Sequence, residues 1–339
     1  MIQVKSSGNI ILVLAAIIII LGALKMAAVI VVPVLLAAFI AIIISPIYTW
    51  LIKRKIPAAL ALLAVIVGLM VIFSLVGILI GSSLQSFSSN LPLYEAQLQI
   101  QWDVVTAKLN GFGIIDGELG SLFNPSALMK YSATVLKGAG SILTNSFMIL
   151  LIIAFMLLES THFTKKLELA KGHGGTMIQI DEVFTKIKHY MAIKAVVSLV
   201  TGAVITILLL FIGLDYAILW GFIVFLLNFI PNIGSILAAV PAVLLAFVQL
   251  GTFGALEIGA IYLFINILIG SIIEPKLMGA GLGISTLVVF LSLIFWGWLL
   301  GPVGMLLSIP LTITIKIMLY SQDQTRWLAV LMSSDNGDA

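Results

Sequence analysis

G-S-I-I-E-P-K-L-M-G-A-G-L-G, residues 270–283, sets Glu274 and Lys276 on either side of Pro275 between two long apolar runs. An acid and a base beside membrane-spanning segments are expensive to keep there, so such a pair is a candidate functional site by default. Pro275 removes a backbone donor, and Gly279, Gly281 and Gly283 relax the chain beyond it. Irregular backbone persists at membrane depth only where protein covers it or a polar cavity meets it. The alternative is a turn at the cytoplasmic edge of two spans, with both charges in solvent.

The composition places the whole chain in lipid. Its 339 residues are 62% hydrophobic and 9% charged, with mean hydropathy +1.25. A water-soluble domain carries about 25% charged residues, so this chain cannot clothe itself in polar surface. Apolar runs of about 15 to 20 residues without strand alternation predict helices. The fold class is therefore an all-α polytopic membrane protein with about eight hydrophobic segments. The net charge of +3 is no nucleic-acid signature, because the basic residues fall in loops rather than on one face. No cysteine is present, which excludes a disulfide framework, a thiol nucleophile and a cysteine metal site.

On the amino side of the opening stretch, Gly254–Ile273 is an ordinary span carrying Glu257 and Asn266. Before it, Tyr216–Ile230 is short, N-F-I-P-N-I-G at 228–234 interrupts the apolar run, and Ser235–Gln249 is short again with Pro241 inside. On the carboxyl side, Ile284–Leu300 and Pro302–Leu319 repeat the broken form around Gly301, Pro302 and Gly304, with Pro310 beyond. Each broken segment starts with a Gly-Leu pair (213–214, 281–282), bends at Pro-x-x-Gly or Gly-Pro-x-Gly, and meets a second proline. Interrupted hydrophobic segments in matching places point to a transporter binding site made of broken or re-entrant hairpins, here an inverted pair. Chance recurrence of Pro and Gly, frequent in such helices, is the other reading.

The breaks at Pro231–Gly234 and Gly301–Gly304 expose backbone carbonyls and amides without strong charge, which suits a neutral, hydroxyl-rich ligand. Asn228, Asn232, Ser235 and Asn266 add donors and acceptors that need partners if buried. The asparagines could equally be inter-helix hydrogen bonds, worth about 0.6 kcal/mol each on average. Glu274 is the candidate coupling or gating residue, with Lys276 as its partner or as a cytoplasmic anchor. Asp215 and Glu257 read as solvated helix-end charges at the outer interface.

In the amino-terminal half, Lys5 with the run Asn9–Leu24 mimics a signal peptide, but further spans follow and no cleavage site is evident, so it reads as a retained anchor. Ile10–Leu24 and Ala27–Ile47 flank Lys25 and predict a tight hairpin; Trp50 and Lys53-Arg54-Lys55 mark a cytoplasmic interface. Ala58–Gly81 is a full span. Leu91, Leu98, Trp102, Val105 and Leu109 predict an amphipathic helix, Gly111-Phe112-Gly113 and Gly117 end it, and Asn124-Pro125 starts another. Lysine weight puts residues 161–194 in the cytoplasm and 82–140 outside, with both termini cytoplasmic. Ile180, Val183, Ile187 and Met191 form an apolar stripe opposite Lys186 and Lys188, as for an interfacial helix. His162, His173 and His189 share neither a face nor a metal spacing. The organisation expected is a hairpin and third span over 1–81, an extracytoplasmic helical region over 82–140, a span over 141–158, cytoplasmic amphipathic helices over 159–191, a transport core over 192–320 and a tail over 321–339.

F-I-P-N-I-G-S-x-x-A-x-x-P at 229–241 and E-P-K-x-M-G at 274–279 resemble the paired signatures of the autoinducer-2 exporter family of bacterial membrane proteins. G-L-G-I-S-T-L-V-V-F-L-S-L-I-F-W-G-W-L-L-G-P at 281–302 extends the likeness, which spans nearly the whole chain and is weakest over 82–140 and in the carboxyl tail. The resemblance implies an inner-membrane transporter exporting autoinducer-2 or a similar small polar solute. Other members are described as sodium/proton antiporters, which is the alternative. It also implies a homo-oligomer, with a pentamer as one candidate, and requires no cofactor. No His-Glu-x-x-His, Gly-x-Ser-x-Gly or paired intramembrane acids support an enzyme, and no Walker sequence supports direct nucleotide drive.

Overall fold

The computed structural model describes residues 7–111, 125–144, 146–170, 176–231, 233–278, 283–320 and 324–334. In chain order the helices are α1 (Ser7–Met26), α2 (Ala28–Lys53), α3 (Ala58–Gly111), α4 (Pro125–Thr144), α5 (Ser146–Ala170), α6 (Thr176–Ile212), α7 (Ala217–Leu227), α8 (Gly234–Ile265), a π-helical segment (Asn266–Ile273), α9 (Glu274–Met278), α10 (Thr286–Leu306), α11 (Ser308–Tyr320) and α12 (Arg326–Leu331). No strand occurs among the described residues. Among the described residues, five stretches are long and apolar enough to cross a membrane: Ala28–Lys53, Ala58–Lys108, Ile187–Ile212, Gly234–Met278 and Thr286–Leu306. Ser146–Glu159, Ala217–Leu227 and Ser308–Tyr320 are shorter apolar helices. Phe211, Phe253, Val29 and Met26 are each more than 80% exposed. A surface of that kind is stable only against lipid or another protein face.

Several predicted boundaries vanish because neighbouring elements run together. The span from Ala58 and the amphipathic helix after it are one rod of 54 residues, about 80 Å long at helical rise. The expected tight hairpin around Lys25 is not formed. Ala27 alone links α1 to α2, with φ −77° and ψ −1° and hydrogen bonds from Ala27 N to Ala23 O and from Val31 N to Ala27 O, so the chain bends and continues. The predicted interfacial helix and the following span merge in α6, on which Ile187 and Met191 are buried and Lys188 is exposed. The side chains of Ile180, Val183, Lys186, His162 and His173 lie outside the described residues, as do Phe112, Gly113, Gly117 and Asn124.

The chain forms two compact units. The first comprises residues 1–58, 148–187 and 282–339. In it α10 packs on α1 and α2, with the Lys25 ammonium 4.2 Å from the centre of the Trp298 ring. Within α10 the chain breaks at Gly301, where φ is 69° and ψ is −154°. Beyond the break it folds back: Trp296 Nε1 donates to Thr312 Oγ1 at 3.0 Å, although those residues would be about 24 Å apart on an unbroken helix. Ser285 caps α10 through the Val288 amide, its own amide meets Met332 O at 3.0 Å, and Lys316 Nζ donates to Gly283 O.

The second unit comprises residues 59–147 and 188–281. Its core gathers Phe87, Leu98, Met129 and Leu136 from α3 and α4 with Trp220, Ile223, Ala242 and Ile258. Phe87 meets Trp220 and Tyr216 edge to face, at 5.5 and 6.0 Å between ring centres. Two reversals shape this unit. The first returns α7 along the start of α8: Gln249 donates from Nε2 to Gly213 O at 3.1 Å and accepts from Asp215 N at 3.0 Å, so both ends of the segment 213–249 are stapled together. The second lies at Gly251, with φ 74° and ψ −168°. A Cβ on Gly259 would be 3.9 Å from Val243 Cγ2, against about 24 Å along a straight helix.

The dihedrals at Gly251 and Gly301 belong to a region that side-chain-bearing residues occupy at a cost of about 1–3 kcal/mol. Gly301→Ala should lower stability by that amount, read as an earlier thermal unfolding in detergent. An unchanged transition would mean that the corner relaxes at no cost.

Candidate functional site

The first hairpin's tip decides where polar groups meet. α7 ends at Asn228, whose amide nitrogen donates to Ser198 Oγ on α6 at 3.0 Å, and both residues are buried. Across the tip, a Cβ on Gly234 would sit 1.8 Å from Leu227 O, so only a bare backbone lets the two arms approach this closely. Gly304 has the matching role in the other unit, where a Cβ would lie 2.0 Å from Trp296 O. These two predicted site residues are therefore close-approach glycines between hairpin arms.

Behind the tip, the span that returns from Gly251 delivers Tyr262, Asn266 and Gly270. Together with Thr201, Ile205, Val224, Asn228, Ser235, Ile265 and Ile269 they line a small cavity inside the second unit. The space is about that of a single water molecule. Tyr262 is buried and its hydroxyl has no hydrogen-bond partner among the described residues. A buried hydroxyl without a partner loses about 1–3 kcal/mol, so an unpaired donor beside this cavity marks a place suited to a polar guest. Thr201 Oγ1 donates to Val197 O at 2.7 Å and keeps its lone pairs for an incoming donor.

The cavity wall is π-helical from Asn266 to Ile273. Gly270 within the segment and Pro275 just after it explain the register slip, because Pro275 lacks the N–H that would bind Ser271 O. Such segments are rare and frequent at functional sites. At its end Glu274 binds Lys194 of α6, with side chains 13% and 5% exposed respectively. Glu274 does not use Lys276, which is exposed. Of the two roles expected for Lys276, partner of Glu274 or cytoplasmic anchor, the first is taken by Lys194: residues two apart on a helix do not face each other, whereas α6 brings Lys194 alongside.

The predicted residues divide as follows. Asn228, Ser235 and Asn266 share the cavity; Pro231 and Gly234 build the tip; Asn232 lies outside the described residues. Glu274 is paired, and Pro275 and Lys276 are exposed. Gly283, Gly301, Pro302 and Gly304 belong to the other unit, at its linker and its hairpin corner. Asp215, in the turn before α7, and Glu257, inside α8 beyond Gly251, are exposed. Lys194, Thr201 and Tyr262 were not expected at the site. Lys194 falls in a run of lysines that reads as topology, yet its place seven positions after Ile187 on a single helix sets it inside the span.

Residues 12–322 match the AI-2E family transporter profile. The chain belongs to this family. It is 38% identical over 333 residues to the AI-2 transport protein TqsA of Escherichia coli strain K12, covering 97% of this chain and 96% of that protein. It is 43% identical to a putative transport protein of Haemophilus influenzae over 94% of each chain, and 34% identical to the putative transport protein YhhT of Escherichia coli K12 over 97% and 95%. A polytopic, all-helical AI-2E member with a polar cavity between apolar helices is a membrane transporter.

Proposed function

We propose that this AI-2E member exports autoinducer-2, or a similarly small, neutral and hydroxyl-rich solute, through the cavity at the tip of the Gly213–Gln249 hairpin. The observation that carries the reading is the inward set Thr201, Asn228, Ser235, Tyr262 and Asn266, with the Tyr262 hydroxyl unsatisfied. All are uncharged and offer both donors and acceptors, which matches hydroxyls rather than ions. The name of the Escherichia coli relative, an AI-2 transport protein, supports the signal as the cargo. α7, at 11 residues, is about 16 Å long and cannot cross a hydrocarbon layer of about 30 Å. The hairpin is accordingly re-entrant, with its tip at depth and its stapled ends at one face. The cavity is too small for the solute as it stands, so passage requires the tip to move. Residence in the bacterial inner membrane, cytoplasmic termini and homo-oligomeric assembly, with five subunits as the first count to test, complete the reading.

The test is flux in proteoliposomes of purified protein, with signal, sodium and proton gradients varied separately. Signal-dependent efflux is expected, and Asn228→Leu combined with Asn266→Leu should reduce it by about tenfold or more, since each lost polar contact is worth about 1 kcal/mol or more. Sodium flux coupled to protons without signal would overturn the reading in favour of an antiporter.

A further inference from the structure

The Lys194–Glu274 pair stands apart from the cavity residues but in line with them. On α6, Lys194, Ser198, Thr201 and Ile205 follow one another at steps of four, three and four, and so share one face. Opposite, Tyr262, Asn266, Gly270 and Glu274 recur every four residues along the returning span and its π-helical end. Thr201 and Ile205 of the first file and Tyr262, Asn266 and Gly270 of the second line one cavity, so the two files face each other. The ion pair is the next rung of the same ladder, one turn or more beyond the cavity on each helix.

We propose that Lys194 and Glu274 are the gate at one end of the solute path, closed when they bind each other and opened when solute hydroxyls replace each as the other's partner. The inference rests on the path proposed above. A buried ion pair is poor evidence for stability, because well-packed apolar residues of the same volume serve as well or better. Charges retained inside a span call for another reason. Bonded together, Lys194 and Glu274 present no net charge towards the cavity and spend a donor and an acceptor on each other. Parted, the ammonium offers three donors and the carboxylate several acceptor sites, the strongest partners available to a polyhydroxylated molecule. Tyr190, buried on α6 one turn before Lys194, lies on the same face of that helix. Gly270, the cavity-lining member of the second file nearest the pair, carries no side chain.

Because the chain has no cysteine, the gate can be locked chemically. Lys194→Cys with Glu274→Cys, reconstituted and bridged by a short bifunctional methanethiosulfonate, is assayed by osmotic light scattering under an erythritol gradient. Bridging should reduce erythritol flux by about tenfold or more, the order expected for a rate-controlling step, and cleavage with dithiothreitol should restore it. Flux unchanged by a bridge verified by mass would overturn the gate. As a second arm, Lys194→Met with Glu274→Met, which removes the latch, should unfold near the native temperature yet leak erythritol several-fold faster than the native protein, whereas a merely structural pair predicts native flux from that variant. Should the cysteine pair fail to fold, the methionine pair carries the test alone. Asn228→Leu with Asn266→Leu in the same assay separates the two ideas. If that variant transports normally, the path itself is wrong; if it is impaired while the methionine pair keeps native flux and the bridge has no effect, only the gate falls.

Discussion

Glu274→Gln is expected to unfold far more readily than the native protein, and Lys194→Met to do the same. Each substitution strands the opposite charge among apolar neighbours, with the surviving Lys194 only 5% exposed and the surviving Glu274 only 13%. Breaking a buried pair from one side costs about 3–5 kcal/mol, most of it the penalty of the orphaned ion. The combined variant should recover most of the loss, because both charges leave together. A double-mutant cycle by denaturant unfolding in detergent micelles measures this coupling directly. Single-variant losses under about 0.5 kcal/mol, the level of ordinary surface positions, would mean that water reaches the pair.

A comparable effect should follow from Gly234→Ala. The new methyl would sit 1.8 Å from Leu227 O and 2.7 Å from its carbonyl carbon. Those are backbone atoms, so no rotamer change can relieve the clash and the arms of the hairpin must part. Overpacking of this kind costs about 1–3 kcal/mol and occasionally more. Here it also displaces Asn228 and Ser235 from either side of the cavity, so signal flux should fall together with stability. Pro231→Ala meets no such obstacle and should be mild in both measurements. Native unfolding and native flux in Gly234→Ala would show that the arms are not in contact in the membrane.

The helical class, the break at residues 228–234, the corner at 301–302 and three of the cavity's polar residues were legible in the sequence because each rests on local rules. Proline and glycine interrupt an apolar run wherever they fall, and Asn228, Ser235 and Asn266 stand out by polarity among Ile, Leu and Phe. Lys194 was hidden by its company: six lysines between residues 161 and 194 share a topological explanation, and only the continuity of α6 separates the last from the rest. Thr201 and Tyr262 are unremarkable in an apolar helix until the return at Gly251 sets them face to face. That return falls in the gap between Ser235–Gln249 and Gly254–Ile273, but a lone glycine between Leu250 and Thr252 does not say which side chains it brings together. Long helices such as α3 were cut short because polarity changes along them while the backbone does not.

The corners at Gly251 and Gly301 carry one more implication. Reversing both signs of their dihedrals gives ordinary extended backbone, the province of any L-amino acid. At these two points the fold therefore asks for the opposite stereochemistry, and the genetic code answers with its only achiral residue. A D-alanine introduced there by semisynthesis would sit without strain, and would stiffen the denatured chain as a bonus. The protein's back-and-forth course is written at those corners in configuration at the α-carbon rather than in the character of any side chain.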